Sequence, residues 1–62
     1  MPITLKAARV NAGYTQQKAA EALDISKSTV ASYEKGKTIP TADMAKKIAE
    51  LYQMSSEDIK FF

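Results

Sequence analysis

QQKAAEALDISKSTVASYEK, residues 16–35, carries helix formers up to Leu23, breaks at Asp24-Ile25-Ser26, and resumes helical spacing at once. Small Ala20 lies in the first half, Leu23 at its end, Ile25 in the break, and Val30 and Tyr33 on one face of the second half. Two helices crossing at about 90–120° through a turn of three or four residues need a small side chain at the crossing and apolar anchors on both sides. Ala20, Ile25 and Val30 supply them. With Val30 and Tyr33 inward, the opposite face holds Lys27, Ser28, Ala31, Ser32 and Lys35. That face is small, polar and basic. The plain alternative is a solvated helix face, but a tight turn that holds the second helix outward suits insertion in a groove. The major groove of duplex DNA, about 12 Å wide, admits such a helix, with hydroxyls and a lysine on base edges and an alanine methyl on a thymine methyl.

Outward from this pair, apolar residues recur at helical spacing, and prolines and glycines fall where helices start or stop. The pattern predicts five short helices. The first runs from Leu5 to Ala12, with Thr4 as its N-cap, Leu5, Ala8 and Ala12 inward, and Gly13 as a left-handed terminus. Side-chain oxygens of Thr15, Ser26, Thr41 and Ser55 cap the next four, each cap contributing about 1 kcal/mol. Ile25 before Ser26 and Met54 before Ser55 are placed to meet Val30 and Ile59 and so fix the entry angles. The fourth helix, Ala42 to about Gln53, has the widest apolar stripe, Met44, Ala45, Ile48, Leu51 and Tyr52, and should close the core. A fifth helix of a turn or two is predicted in SSEDIKFF.

The 62 residues allow one domain, residues 1–62, with a core supplying stability of only about 3–5 kcal/mol. Without cysteine or histidine there is no disulfide framework, no thiolate or imidazole metal site and no neutral-pH proton shuttle. No stretch approaches the length of a membrane span, and the N-terminus lacks signal-peptide features. The reading is a cytoplasmic protein with no cofactor and no metal. Residues 1–38 carry six basic side chains (Lys6, Arg9, Lys18, Lys27, Lys35, Lys37) against three acidic (Glu21, Asp24, Glu34), a balance of +3, and residues 39–62 come to −1. This asymmetry is the kind expected of a nucleic-acid binder, and many small soluble domains share it. The carboxylates are spread over caps and termini with no nucleophile beside a base, which speaks against an enzyme.

QQKAAEALDISKSTVASYEKGK followed by Pro40 resembles the helix-turn-helix of the phage-repressor and Cro type, the XRE family. The resemblance extends from Leu5 and Arg9 through Thr15-Gln16, Ala20, Leu23, Ile25, Val30, Tyr33, Glu34, Gly36 and Pro40 to Leu51-Tyr52. It implies an all-α fold, a compact bundle of five short helices like the lambda-repressor DNA-binding domain. The second and third helices form the helix-turn-helix, the third lies in the major groove and the second crosses the backbone. By position, Lys27, Ser28 and Ser32, with Ala31 beside them, resemble base readers. Gln16 resembles a phosphate ligand at a helix N-terminus, and Lys37 and Thr38, with Lys35, resemble backbone contacts. Arg9 and Glu34 match a pair bridging the first and third helices. The chain departs from the family at Asp24, where glycine is usual, and at Lys18, where a glutamate is frequent. A positive charge in the first turn opposes the helix dipole and makes sense if a phosphate lies nearby.

One helix-turn-helix unit supplies little affinity, so proteins of this type pair to read two half-sites about 34 Å apart. The resemblance therefore implies a homodimer on double-stranded operator DNA that acts as a repressor by blocking polymerase. Ile59, Phe61 and Phe62 are candidates for the dimer contact. The alternative function is a protein-protein interaction module on the same fold, such as part of an antitoxin. No membrane or small-molecule partner is indicated.

Overall fold

The computed structural model describes residues 2–61. Four α-helices follow one another, α1 (Leu5–Asn11), α2 (Gln16–Leu23), α3 (Lys27–Lys35) and α4 (Ala42–Leu51). Each begins at a hydroxyl that accepts from the amide three residues on: Thr4 from Ala7, Thr15 from Lys18, Ser26 from Thr29 and Thr41 from Met44, at 3.0–3.2 Å. Each also ends alike. The first or second residue past the helix takes a left-handed conformation, at Gly13, Asp24, Gly36 and Gln53. The following amide then bonds back across five residues, Tyr14 to Arg9, Ile25 to Ala20, Lys37 to Ser32 and Met54 to Ala49. This double closure satisfies carbonyls that the helix leaves free. Gln53 bends the chain after Leu51, so α4 stops short of the predicted Gln53.

Four helices, rather than the five predicted, are present among the described residues. Ser55 does accept from Glu57, but Ser56–Asp58 make only a single 3₁₀ turn before the chain extends. Ile59–Lys60 (β2) pair in parallel with Ile3–Thr4 (β1), Ile3 opposite Ile59 and Thr4 opposite Lys60. The physical reason lies in the alternation of this segment: Ile59 is buried, Lys60 exposed and Phe61 half-buried, a period of two that a helix cannot satisfy. The fold is therefore helical with one short parallel pair of strands that ties both ends of the chain together.

The core consists of Leu5, Ala8, Ala19, Leu23, Ile48, Ala49, Tyr52 and Ile59. Ala8 and Ala19 are fully buried, so helix backbones approach closely at those points. Ala20 and Val30 are buried as well, at the crossing of α2 and α3, the helix pair that packs most extensively. Ile59, one of the candidate dimer contacts, is buried in this core at 4% exposure. Phe61 packs half-buried against the same cluster, and Phe62 lies outside the described residues. No helix among the described residues is long and apolar enough to cross a membrane.

Candidate nucleic-acid interface

The turn between α2 and α3 is built from Asp24, at φ 59°, and the Ser26 cap. Ser26 and Thr29 hydroxyls also bond each other at 2.8 Å, so both are engaged in holding the start of α3. Ile25, half-buried against the core, ties the turn to the body of the molecule. These contacts fix α3 with Val30 inward and Tyr33 half-buried on the core. On its other side Lys27, Ser28 and Lys35 are exposed and Ala31 and Ser32 half-buried. The structure thus brings the small, polar face of α3 together as one surface. Main-chain N–H groups of Lys37 and Thr38 both bond the Ser32 carbonyl, at 3.0 and 3.5 Å, which folds the basic loop against the last turn of α3. Lys18 is exposed in the first turn of α2.

Behind this surface lies a network of ionised and polar groups from three helices. Arg9 of α1 donates through Nε to Glu34 Oε2 at 2.7 Å and through Nη2 to Oε1 at 3.4 Å, and its Nη1 donates to the Tyr14 carbonyl at 2.8 Å. Gln16 Nε2 donates to Glu34 Oε1 at 3.1 Å. The Arg9 and Glu34 side chains are only 10% and 5% exposed. Low exposure strengthens the attraction and makes loss of either partner costly. Tyr52, which follows α4, lies beside the network, its ring 5.9 Å from that of Tyr14. Burial chiefly, with the negative charge of Glu34 next, pushes the Tyr52 phenol up to about 12, against a smaller opposing effect of Arg9.

Two features of this site were not read from the sequence. Gln16 was assigned to phosphate alone, whereas its side chain reaches a carboxylate 18 residues away. The sequence pattern assigns no role to Tyr14, whose carbonyl accepts from Arg9. A main-chain acceptor has no signature in residue type. A glutamine at the start of one helix and a glutamate near the end of the next likewise announce nothing until the fold brings them together.

The helix-turn-helix family model HTH_3 matches residues 5–59, which include every helix described above. The chain is 42% identical over 53 residues to the HTH-type transcriptional regulator ImmR of Bacillus subtilis (strain 168), covering 86% of this chain and 42% of that protein. It is 36% identical over 55 residues to the uncharacterized HTH-type transcriptional regulator YgzD of the same strain, covering 89% of this chain and 83% of that protein. The chain therefore spans less than half the length of the first relative and most of the second. No solved structure gives a significant match.

Proposed function

We propose, from the premise that this chain belongs to the XRE-type helix-turn-helix family, that it is a DNA-binding transcriptional regulator acting as an operator-bound repressor. In this reading α3 enters the major groove, two copies occupy two half-sites, and polymerase is excluded from the covered promoter. The observation that carries it is the outer face of α3, where Lys27 and Ser28 are exposed. Lys27 suits the paired acceptors of a guanine edge, Ser28 and Ser32 bond either edge, and the Ala31 methyl suits a thymine methyl. Lys18, Lys35, Lys37 and Thr38 flank that face and meet phosphates, as does the N-terminus of α2 at Gln16. The action takes place on DNA, in the cytoplasm.

With no asparagine, glutamine or arginine on the reading face, bidentate base contacts are few. Affinity then rests heavily on phosphates, and discrimination between sites is modest. The reading is tested by selection from randomised duplexes at near-physiological salt, followed by sequencing of what the protein retains. An enriched inverted repeat with half-sites about 34 Å apart is the expected result. Weak retention that is indifferent to salt, with nothing enriched, would overturn it in favour of a protein partner for the same face, because phosphate contacts weaken steeply as salt rises.

A further inference from the structure

Sequence order places Lys60 in the part of the chain with a net charge of −1, residues 39–62, and the fold moves it elsewhere. β2 pairs with β1 so that Lys60 stands opposite Thr4, immediately before α1. Ile59 beside it is buried, and the alternation of a strand turns Lys60 outward, where it is exposed. There Lys60 lines a cleft of about 140 Å³ together with Thr4, Tyr33, Glu34, Lys35 and Gly36. The last turn of α3 and its glycine terminus therefore face the same cleft as β2. Of these residues Glu34 carries the carboxylate, but its side chain is 5% exposed and paired with Arg9 at 2.7 Å. Lys35 and Lys60 are both exposed, so the two cations set the charge of the cleft. Gly36, where an added Cβ would meet nothing within 4 Å, leaves the end of α3 uncovered beside them.

We infer that Lys60 is a further DNA-binding residue, which holds with Lys35 a backbone phosphate of the duplex that α3 enters. The inference rests on α3 forming the DNA interface. Charge complementarity names the occupant, because a cleft lined by two exposed ammonium groups takes an anion. Continuity gives its source: Lys35 belongs to the last turn of α3 and Lys37 to the loop after it, so Lys60 extends the basic flank of the same helix. A lysine binds phosphate as a point charge on a flexible stem, and the pair needs no fixed fork geometry to share one. The pairing of β2 with β1 thereby does more than join the chain ends. It delivers a cation to the interface from the far end of the sequence.

The test measures affinity for the selected inverted repeat against salt concentration for wild type, Lys60→Ala, Lys60→Arg and Lys46→Ala, the last at an exposed position of α4. Each phosphate contact contributes about 0.9 to the slope of log affinity against log salt. With one contact in each of two copies, Lys60→Ala should reduce the slope by about 2. Lys60→Arg should keep the wild-type slope. Lys46→Ala should keep it as well, because an exposed charge farther than about 8 Å from a phosphate is screened. A wild-type slope in Lys60→Ala, or the same reduction in Lys46→Ala, would overturn the inference and leave the DNA reading intact. Failure of wild type to bind any duplex would overturn both. NMR of wild type needs no variant: on addition of the repeat, the side-chain signals of Lys60 should shift with those of Lys35 while those of Lys46 stay. Unshifted Lys60 signals overturn the inference.

Discussion

Arg9 and Glu34 sit at the point where single side chains bear most on stability. Removing one partner of a buried pair costs about 3–5 kcal/mol, and a core of this size supplies a stability of about the same amount. Glu34→Ala is therefore expected to be largely unfolded at 25 °C by circular dichroism. The joint change Arg9→Met with Glu34→Leu, which removes both charges, should fold. A Glu34→Ala variant whose stability lay within about 1 kcal/mol of wild type would show that the pair is solvated.

Tyr52 gives the network a dependence on pH. Its phenol ionises near 10 in the unfolded chain and at about 12 in the folded protein. Between those values the unfolded state has lost a proton that the folded state keeps. The stabilisation is complete below pH 10 and is lost as pH rises to 12, amounting to roughly 2–3 kcal/mol. Thermal melts from pH 9 to 12 should therefore fall more steeply for wild type than for Tyr52→Phe. Parallel curves for the two proteins would place the phenol in water.

At the scale of the element, the four helices share one kind of start and one kind of end, and the sequence disclosed the starts better. Serine and threonine at Thr4, Thr15, Ser26 and Thr41 are preferred caps for a physical reason, so the predicted and observed starts agree. Ends are legible where glycine marks them, at Gly13 and Gly36. Asp24 was legible only through its departure from the family, and Gln53 not at all, because nothing in glutamine favours a left-handed backbone. The fifth helix was misread for a related reason. Ser55 and Asp58 look like a cap and its partner, and that local signal outweighed the alternation of Ile59, Lys60 and Phe61, which only a partner strand from the other end of the chain can reward.

Left-handed non-glycine residues cost about 1 kcal/mol each. Asp24→Gly and Gln53→Gly, at φ 59° and 58°, are each expected to raise the unfolding free energy by about 0.5–1 kcal/mol in urea titrations. Gln53→Gly is distant from the reading face and should leave DNA affinity unchanged. A loss of stability at either site would show that its side chain makes a contact that outweighs the strain.

On the scale of the whole molecule, charge and shape point the same way. The excess of positive charge lies in residues 1–38, the part that carries α2, α3 and the loop at Lys37. Three flanking lysines in each copy, Lys18, Lys35 and Lys37, give six phosphate contacts in a pair, and a slope of log affinity against log salt of about −5. Lys37→Ala removes one contact from each copy and should reduce that slope by about 2. An unchanged slope would remove Lys37 from the interface. Pairing is a separate matter. With Ile59 in the core, Val10 and Ile39 are the large apolar residues left more than half exposed among the described residues. Two such side chains make too small a patch for a tight dimer, so sedimentation should find a monomer at micromolar concentration and cooperative binding to an inverted repeat.

Direct contact of the α3 face with base edges is tested most sharply by repeating the selection from randomised duplexes with Lys27→Ala. Lys27 is exposed in the first turn of α3, so loss of its side chain should leave the fold and the half-site spacing as they are. The predicted result is the same inverted repeat with the preference for one base pair, a guanine, relaxed in each half-site. A repeat whose preferences are unchanged at every position would contradict the placement of α3 in the groove.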